Sequence, residues 1–218
     1  MPAGATVPDA VFDAETLGLI VVDVQKGFLS PDAVPVRKGL DTSMPNERLP
    51  RIRELLSVCR EAGLTVAHTR SVRRADGADA PRELYDVVPS VYEDGPPSCC
   101  AGTVDVAYAD GVEPRADEFE VTKKRYDPFR GTSLAWDLRS QGVETVLVCG
   151  FMTDVCVAST ARSAHEEGFN VIVVADCCAA ASEEAHAGAL RTFERVLGAT
   201  MQFEEVRTRL ARSHARTT

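Results

Sequence analysis

The sequence predicts a single-domain α/β fold: a doubly wound, mostly parallel sheet of about six strands with helices on both faces. Three observations lead there. Apolar runs without alternation, GLIVVDV (18–24), TVLVC (145–149) and NVIVVA (170–175), suit strands buried on both faces of a parallel sheet. Stretches of helical periodicity separate them, as crossover connections between parallel strands require. A chain of 218 residues with 44% hydrophobic content can bury one sizeable core.

Residues 1–16 read as an N-terminal extension, 17–205 as the domain, and 206–218 as a helix end with a frayed tail. Gly18–Val24 is the first strand, followed by a proline-rich loop through Pro45. A helix over Glu47–Ala62 gathers Leu49, Ile52, Leu55, Leu56 and Cys59 on one face, and Gly63 ends it. Leu64–His68 is the next strand. The irregular, proline-rich segment Ser71–Pro114 is long enough to cover a binding site. A short strand begins at Glu120–Thr122, and a helix over Ser133–Gln141 precedes TVLVC. The helix that carries Cys156 is stopped by Gly168. After NVIVVA come a helix over Ser182–Leu197 opened by SEEA, an edge strand near Thr200–Phe203 and a short helix to Arg212.

A net charge of −9 and a pI near 5.0 provide no positive field for polyphosphate, and the basic clusters RSVRR (70–74) and KKR (123–125) are short, so nucleic acid is not an expected partner. No basic segment leads into a long apolar run, and no stretch approaches the roughly 20 apolar residues of a membrane span. A cytoplasmic protein without a membrane partner is expected. The seven cysteines are odd in number and lack C-x-x-C spacing, and the four histidines (68, 165, 186, 214) are scattered. Reduced thiols and no metal site are therefore expected.

In parallel sheets the ligand cleft lies beyond the carboxyl ends of the strands. Asp23 ends the first strand, Lys123 and Lys124 follow the short middle strand, and Cys156 follows TVLVC within GFMTDVCVASTA (150–161). Thr153 or Asp154 would cap the helix behind the sulfur, whose exposed N–H groups and dipole would favour thiolate. A thiol with a proton acceptor and a nearby cation is suited to acyl transfer. A nucleotide-binding domain would need a glycine-rich turn after the first strand, where DVQKGFLSPDA offers one glycine.

Four blocks in order, LIVVDVQKGFL (19–29), VTKKRYDPFRGTSL (121–134), VCGFMTDVCVASTARSA (148–164) and VIVVADCCAA (171–180), resemble the isochorismatase-like cysteine hydrolase superfamily. The resemblance implies Asp23 as general base, Cys156 as nucleophile and Lys123 as the cation, since Lys123 and not Lys124 stands six residues before the family aromatic, Phe129. It implies a cis peptide between Phe151 and Met152 and an oxyanion hole from the Met152 and Cys156 N–H groups. Phe28, Phe129, Phe151 and Arg70 would line the substrate site, with Gln25, Thr153 and Asp154 bracing it. Arg70, Arg73 and Arg74 suggest a grip on a carboxylate. HTRSVRRADGADAP (68–81) lacks the Asp-x-His stretch of metal-binding nicotinamidases, so no metal and no cofactor are implied. The implied activity is hydrolysis of a small-molecule amide, ureido or N-carbamoyl C–N bond through a thioester. The alternatives are vinyl ether hydrolysis with Asp23 as acid, as in true isochorismatases that lack the cysteine, and a catalytically inactive member. Family members assemble as dimers or larger, so a homo-oligomer (dimer or tetramer) is implied.

Overall fold

In the computed structural model, which describes residues 7–76, 78–79 and 97–217, the apolar run Leu17–Val22 forms β1 with every side chain buried. The chain continues through a short helix α1 (Val34–Arg37), α2 (Ser43–Glu61), β2 (Thr65–Ser71), β3 (Phe119–Lys123), α3 (Leu134–Ser140) and β4 (Thr145–Phe151). A π-helical turn (Thr153–Val157) runs into α4 (Ala158–Glu166), followed by β5 (Asn170–Ala179), α5 (Glu183–Val196), β6 (Ala199–Met201) and α6 (Phe203–Thr217). Residues 77 and 80–96 of the proline-rich segment lie outside the described residues.

The strands pair in the order β3-β2-β1-β4-β5-β6, all parallel. The order reverses between β1 and β4, so the loops leaving these two strands diverge and open a crevice. Alternation along each strand assigns its faces. Leu19, Val21, Leu147, Cys149 and Phe151 pack with Ile52, Leu55 and Leu56 of α2 and Val206 and Leu210 of α6. Ile20, Val22, Val146 and Val148 pack on the opposite face with Leu134 and Leu138 of α3, Ala161 and Ala164 of α4, and Phe193 of α5. Each fully buried aliphatic side chain contributes about 1.5–3 kcal/mol, so the two faces together anchor the crevice rigidly. Val7 and Phe12, from the segment before β1, join the α2 and α6 face.

Several boundaries differ from expectation. β1 stops at Val22 because Asp23 adopts a left-handed conformation (φ 49°) that turns the chain out of the sheet. α2 begins at Ser43, since Pro45 in the first turn forfeits only an N–H that has no helical partner. β5 continues to Ala179 through a bulge, where the register jumps from Val148↔Val173 to Gly150↔Cys178. Asp176 in that bulge accepts the Phe203 N–H at 2.8 Å and pairs with Arg51 at 2.9 Å, tying β5 to both α6 and α2. α6 extends to Thr217, where a short helix to Arg212 and a frayed tail were expected. The Ser182 hydroxyl caps α5 by accepting the Ala185 N–H at 3.2 Å, as SEEA foretold. All seven cysteines are free and buried, and among the described residues no helix is long and apolar enough to cross a membrane.

Candidate active site

The parallel register Val22↔Thr69 brings the residue after β1 beside β2. The Asp23 N–H donates to both the carbonyl (3.1 Å) and the hydroxyl (3.2 Å) of Thr69, and that hydroxyl donates to Asp23 Oδ1 at 2.6 Å. Lys123, the last residue of β3, reaches over β2, and its Nζ lies 2.6 Å from Asp23 Oδ2. The same ammonium donates to Cys156 Sγ at 3.4 Å and to the Arg125 carbonyl at 3.0 Å. Asp23, Lys123 and Cys156 are thus brought together as expected, at 0%, 2% and 6% exposure. Lys124 instead faces Asp79 at 3.5 Å.

Burial alone would lower the Lys123 ammonium's pKa, but Asp23, and then Cys156, overcome that and hold it above the ordinary lysine value. For the Cys156 thiol, burial pushes the pKa up, Asp23 pushes the same way, and Lys123 opposes both. The net direction is upward, so the resting sulfur carries its proton. The helix end was expected to favour thiolate, but at a nearly waterless sulfur the desolvation cost outweighs the favourable end of a short helical turn. Neither Thr153 nor Asp154 caps that turn. It is closed by two N–H groups, from Val155 (3.0 Å) and Val157 (3.1 Å), converging on the Met152 carbonyl. Thr153 instead pairs its hydroxyl with His186 Nδ1 of α5 at 2.8 Å, and Asp154 is exposed.

The peptide bond between Phe151 and Met152 is cis. Gly150, two residues before Met152, has φ 120°, and a Cβ there would lie 2.1 Å from the Val22 carbonyl oxygen. Only glycine lets β4 pass β1 closely enough at this exit. Gln25 is wholly buried and braces backbone, as expected. Its Nε2 donates to the carbonyls of Ser71 (3.1 Å) and Asp105 (3.0 Å), and its Oε1 accepts the Ser71 N–H at 2.7 Å. Asp105 extends the brace by accepting the N–H groups of Val34 and Cys99, both at 3.0 Å.

Two of the expected substrate contacts are corrected. Arg70 points to the face of β2 opposite Thr69, where it pairs with Glu120 at 2.7 Å, bonds Thr122 and lies over the Tyr108 ring. Strand alternation separates it from the sulfur. Phe151 is fully buried among the α2-face residues, so it packs the core and presents no surface to a ligand. Phe28 is half-buried and meets Phe151 edge-on at 6.5 Å. Phe129 shares the apolar cluster of Cys156 and packs on Phe169 at 6.2 Å. Of the other two arginines, Arg74 pairs with Asp76 at the surface, whereas Arg73 is buried against Cys99, whose carbonyl accepts the Arg73 N–H at 2.8 Å.

Thr69, Asp105 and His186 were not singled out in the sequence. Register against β1 is the signal that could have found Thr69, since a hydroxyl one strand over from a strand-end carboxylate is its natural donor. Among the described residues, no group of three or more His, Cys, Asp and Glu side chains is gathered to hold a metal ion.

A family model described as the isochorismatase domain matches residues 18–205. The chain is 30% identical over 200 residues to an uncharacterized isochorismatase family protein, YecD, of Escherichia coli O157:H7, covering 89% of this chain and 96% of that protein. It is also 30% identical over 196 residues to the ureidoacrylate amidohydrolase RutB of Methylobacterium radiotolerans, covering 85% of this chain and 76% of RutB. Among solved structures, a cysteine hydrolase from Pseudomonas syringae pv. phaseolicola 1448A superposes with a TM-score of 0.79 at 26% identity, over 92% of this chain and 95% of that one. A domain match that takes in β1, β3, β4 and the turn bearing Cys156, together with the shared doubly wound sheet, shows that the chain belongs to the isochorismatase-like hydrolase family.

Proposed function

We propose that this chain is a cysteine-dependent amidohydrolase that cleaves the C–N bond of a small amide, ureido or N-carbamoyl substrate through a thioester on Cys156. The observation that carries the reading is a single buried ammonium, Lys123 Nζ, in contact with both the Asp23 carboxylate and the Cys156 sulfur. A protonated thiol must lose its proton as it attacks, and Asp23 is the base beside it. Sulfur bonds to the substrate carbonyl carbon while the thiol proton passes to Asp23. Lys123 pairs with the Asp23 carboxylate and donates to Cys156 and the Arg125 carbonyl, so it steadies the ionic pair and leaves the oxyanion to other donors. Those donors are the backbone N–H groups of Met152 and Cys156, each worth about 100-fold or more in sites of this type. Asp23 then returns the proton to the departing nitrogen as the C–N bond breaks. It next takes a proton from the water that hydrolyses the thioester, and hands it to the leaving sulfur.

The name of the relative RutB puts ureidoacrylate first among compounds to try. The test is an ammonia-release screen over amides, ureido acids and N-carbamoyl amino acids, with Cys156→Ser and Asp23→Asn as controls. Release from at least one class that both substitutions abolish is expected. Release that survives both overturns the mechanism, and conversion of isochorismate that needs Asp23 but not Cys156 replaces it with vinyl ether hydrolysis.

A further inference from the structure

We propose that Thr69 is a positioning residue of this site, its hydroxyl fixing which oxygen of Asp23 receives the thiol proton. The inference rests on the cysteine hydrolase reading above.

Thr69 is wholly buried, and its Oγ1 has two neighbours in fixed roles. The Asp23 N–H donates to it at 3.2 Å, which leaves the hydroxyl's own hydrogen to point at Asp23 Oδ1, 2.6 Å away. The Thr69 carbonyl takes the same N–H at 3.1 Å, so backbone and carboxylate of Asp23 are gripped from one residue. The grip also holds the left-handed backbone of Asp23 (φ 49°), a conformation uncommon for a residue with a side chain. With Oδ1 engaged by the hydroxyl, the carboxylate is locked about its χ2 axis and Oδ2 is turned to the Lys123 ammonium, itself in contact with the sulfur. Without the hydroxyl only the Lys123 contact orients the carboxylate, and the accepting oxygen is aligned with the thiol less of the time.

The probe is p-nitrophenyl acetate, with which the first half-reaction is read without the natural substrate. The sulfur–acyl bond forms, the aryl ester C–O bond breaks, p-nitrophenolate leaves, and the thiol proton passes to Asp23. Thr69→Val keeps the shape and the backbone carbonyl while removing the donor. Thr69→Ala removes it with no added contact, and Thr69→Ser restores it. Both hydroxyl-less variants are expected to acylate about 10- to 100-fold more slowly at saturation, with KM near wild type. Thr69→Ser should return the acylation rate to the wild-type value. A residue that only packs the core would show the reverse order, with the shape-keeping Thr69→Val near wild type and the methyl-deleted Thr69→Ser impaired. Asp23→Asn and Cys156→Ser run alongside. If both of those acylate normally, the cysteine hydrolase reading itself fails. If both are inactive while Thr69→Val and Thr69→Ala keep the wild-type rate, only the role of Thr69 is overturned.

Discussion

Replacing Asp23 by Asn should make Cys156 more acidic while abolishing turnover. Two contacts, Asp23 Oδ2 to Lys123 Nζ at 2.6 Å and Nζ to Sγ at 3.4 Å, keep the carboxylate oxygen within about 6 Å of the sulfur. A unit negative charge at that range and an effective dielectric near 20 disfavours thiolate by about 3 kcal/mol, or about two pH units. Asp23→Asn removes that charge and leaves the ammonium facing the sulfur alone. Thiolate absorbance near 240 nm, followed against pH and referenced to Cys156→Ser, reads the shift directly. The Cys156→Ser reference is essential, because burial holds the other thiols up as well, with Cys59, Cys99 and Cys178 pushed up to about 12, and they ionise in the same alkaline range. At pH 9 the variant should therefore alkylate at Cys156 at least about tenfold faster than the wild type. An unchanged or higher titration midpoint in Asp23→Asn would refute the assigned electrostatics, since it would mean that the carboxylate does not act on the sulfur.

Three further outcomes are expected. Lys123→Met strands the buried Asp23 carboxylate and should cost about 3–5 kcal/mol in urea unfolding, much of it recovered in the Asp23→Asn/Lys123→Met double variant; equal stability of the two would contradict a buried ion pair. Gly150→Ala forces a Cβ onto the Val22 carbonyl at a positive φ and should destabilise by about 3 kcal/mol, read as a lower denaturant midpoint with unchanged m-value. His68 is held down to about 4, by burial first and against the pull of Glu118, while Arg60 opposes its protonation from the far side of Glu118 and the Tyr108 ring meets it edge-on. A histidine with a folded value below its unfolded value of about 6.5 binds fewer protons when folded. Its contribution is complete above about pH 6.5 and is lost as pH falls toward 4. Between pH 6.5 and 4.5 the wild type should lose about 2–3 kcal/mol more than His68→Gln, and parallel losses would show that His68 does not titrate in this way.

The parts of the site legible in the sequence were those whose chemistry is tied to strand ends. Asp23, Lys123 and Cys156 each follow an apolar run, and a parallel sheet brings such ends to one rim. Gln25 was readable as a brace because it is an amide adjoining that rim. Illegible were features set by face and register. Arg70 looks like a carboxylate binder until alternation along β2 turns it toward Glu120, and Phe151 looks like a pocket aromatic until β4 extends to include it. Thr69 carries no motif, and its importance arises only from Val22↔Thr69 pairing. The extension of β5 through Asp176 was hidden by the bulge, which breaks the apolar run that marks a buried strand. The upward push on the Cys156 thiol was not legible, because local helix geometry can be read from sequence, whereas the depth of burial that opposes it cannot.

The most direct measurement is acid-quench mass spectrometry of the chain turning over the amide or ureido compound that releases most ammonia, followed by peptide mapping. An acyl adduct should appear on the peptide containing Cys156, build up within the first turnover, and vanish in Cys156→Ser together with ammonia release. Full release with no adduct on that peptide, unaffected by Cys156→Ser, would contradict attack by this sulfur.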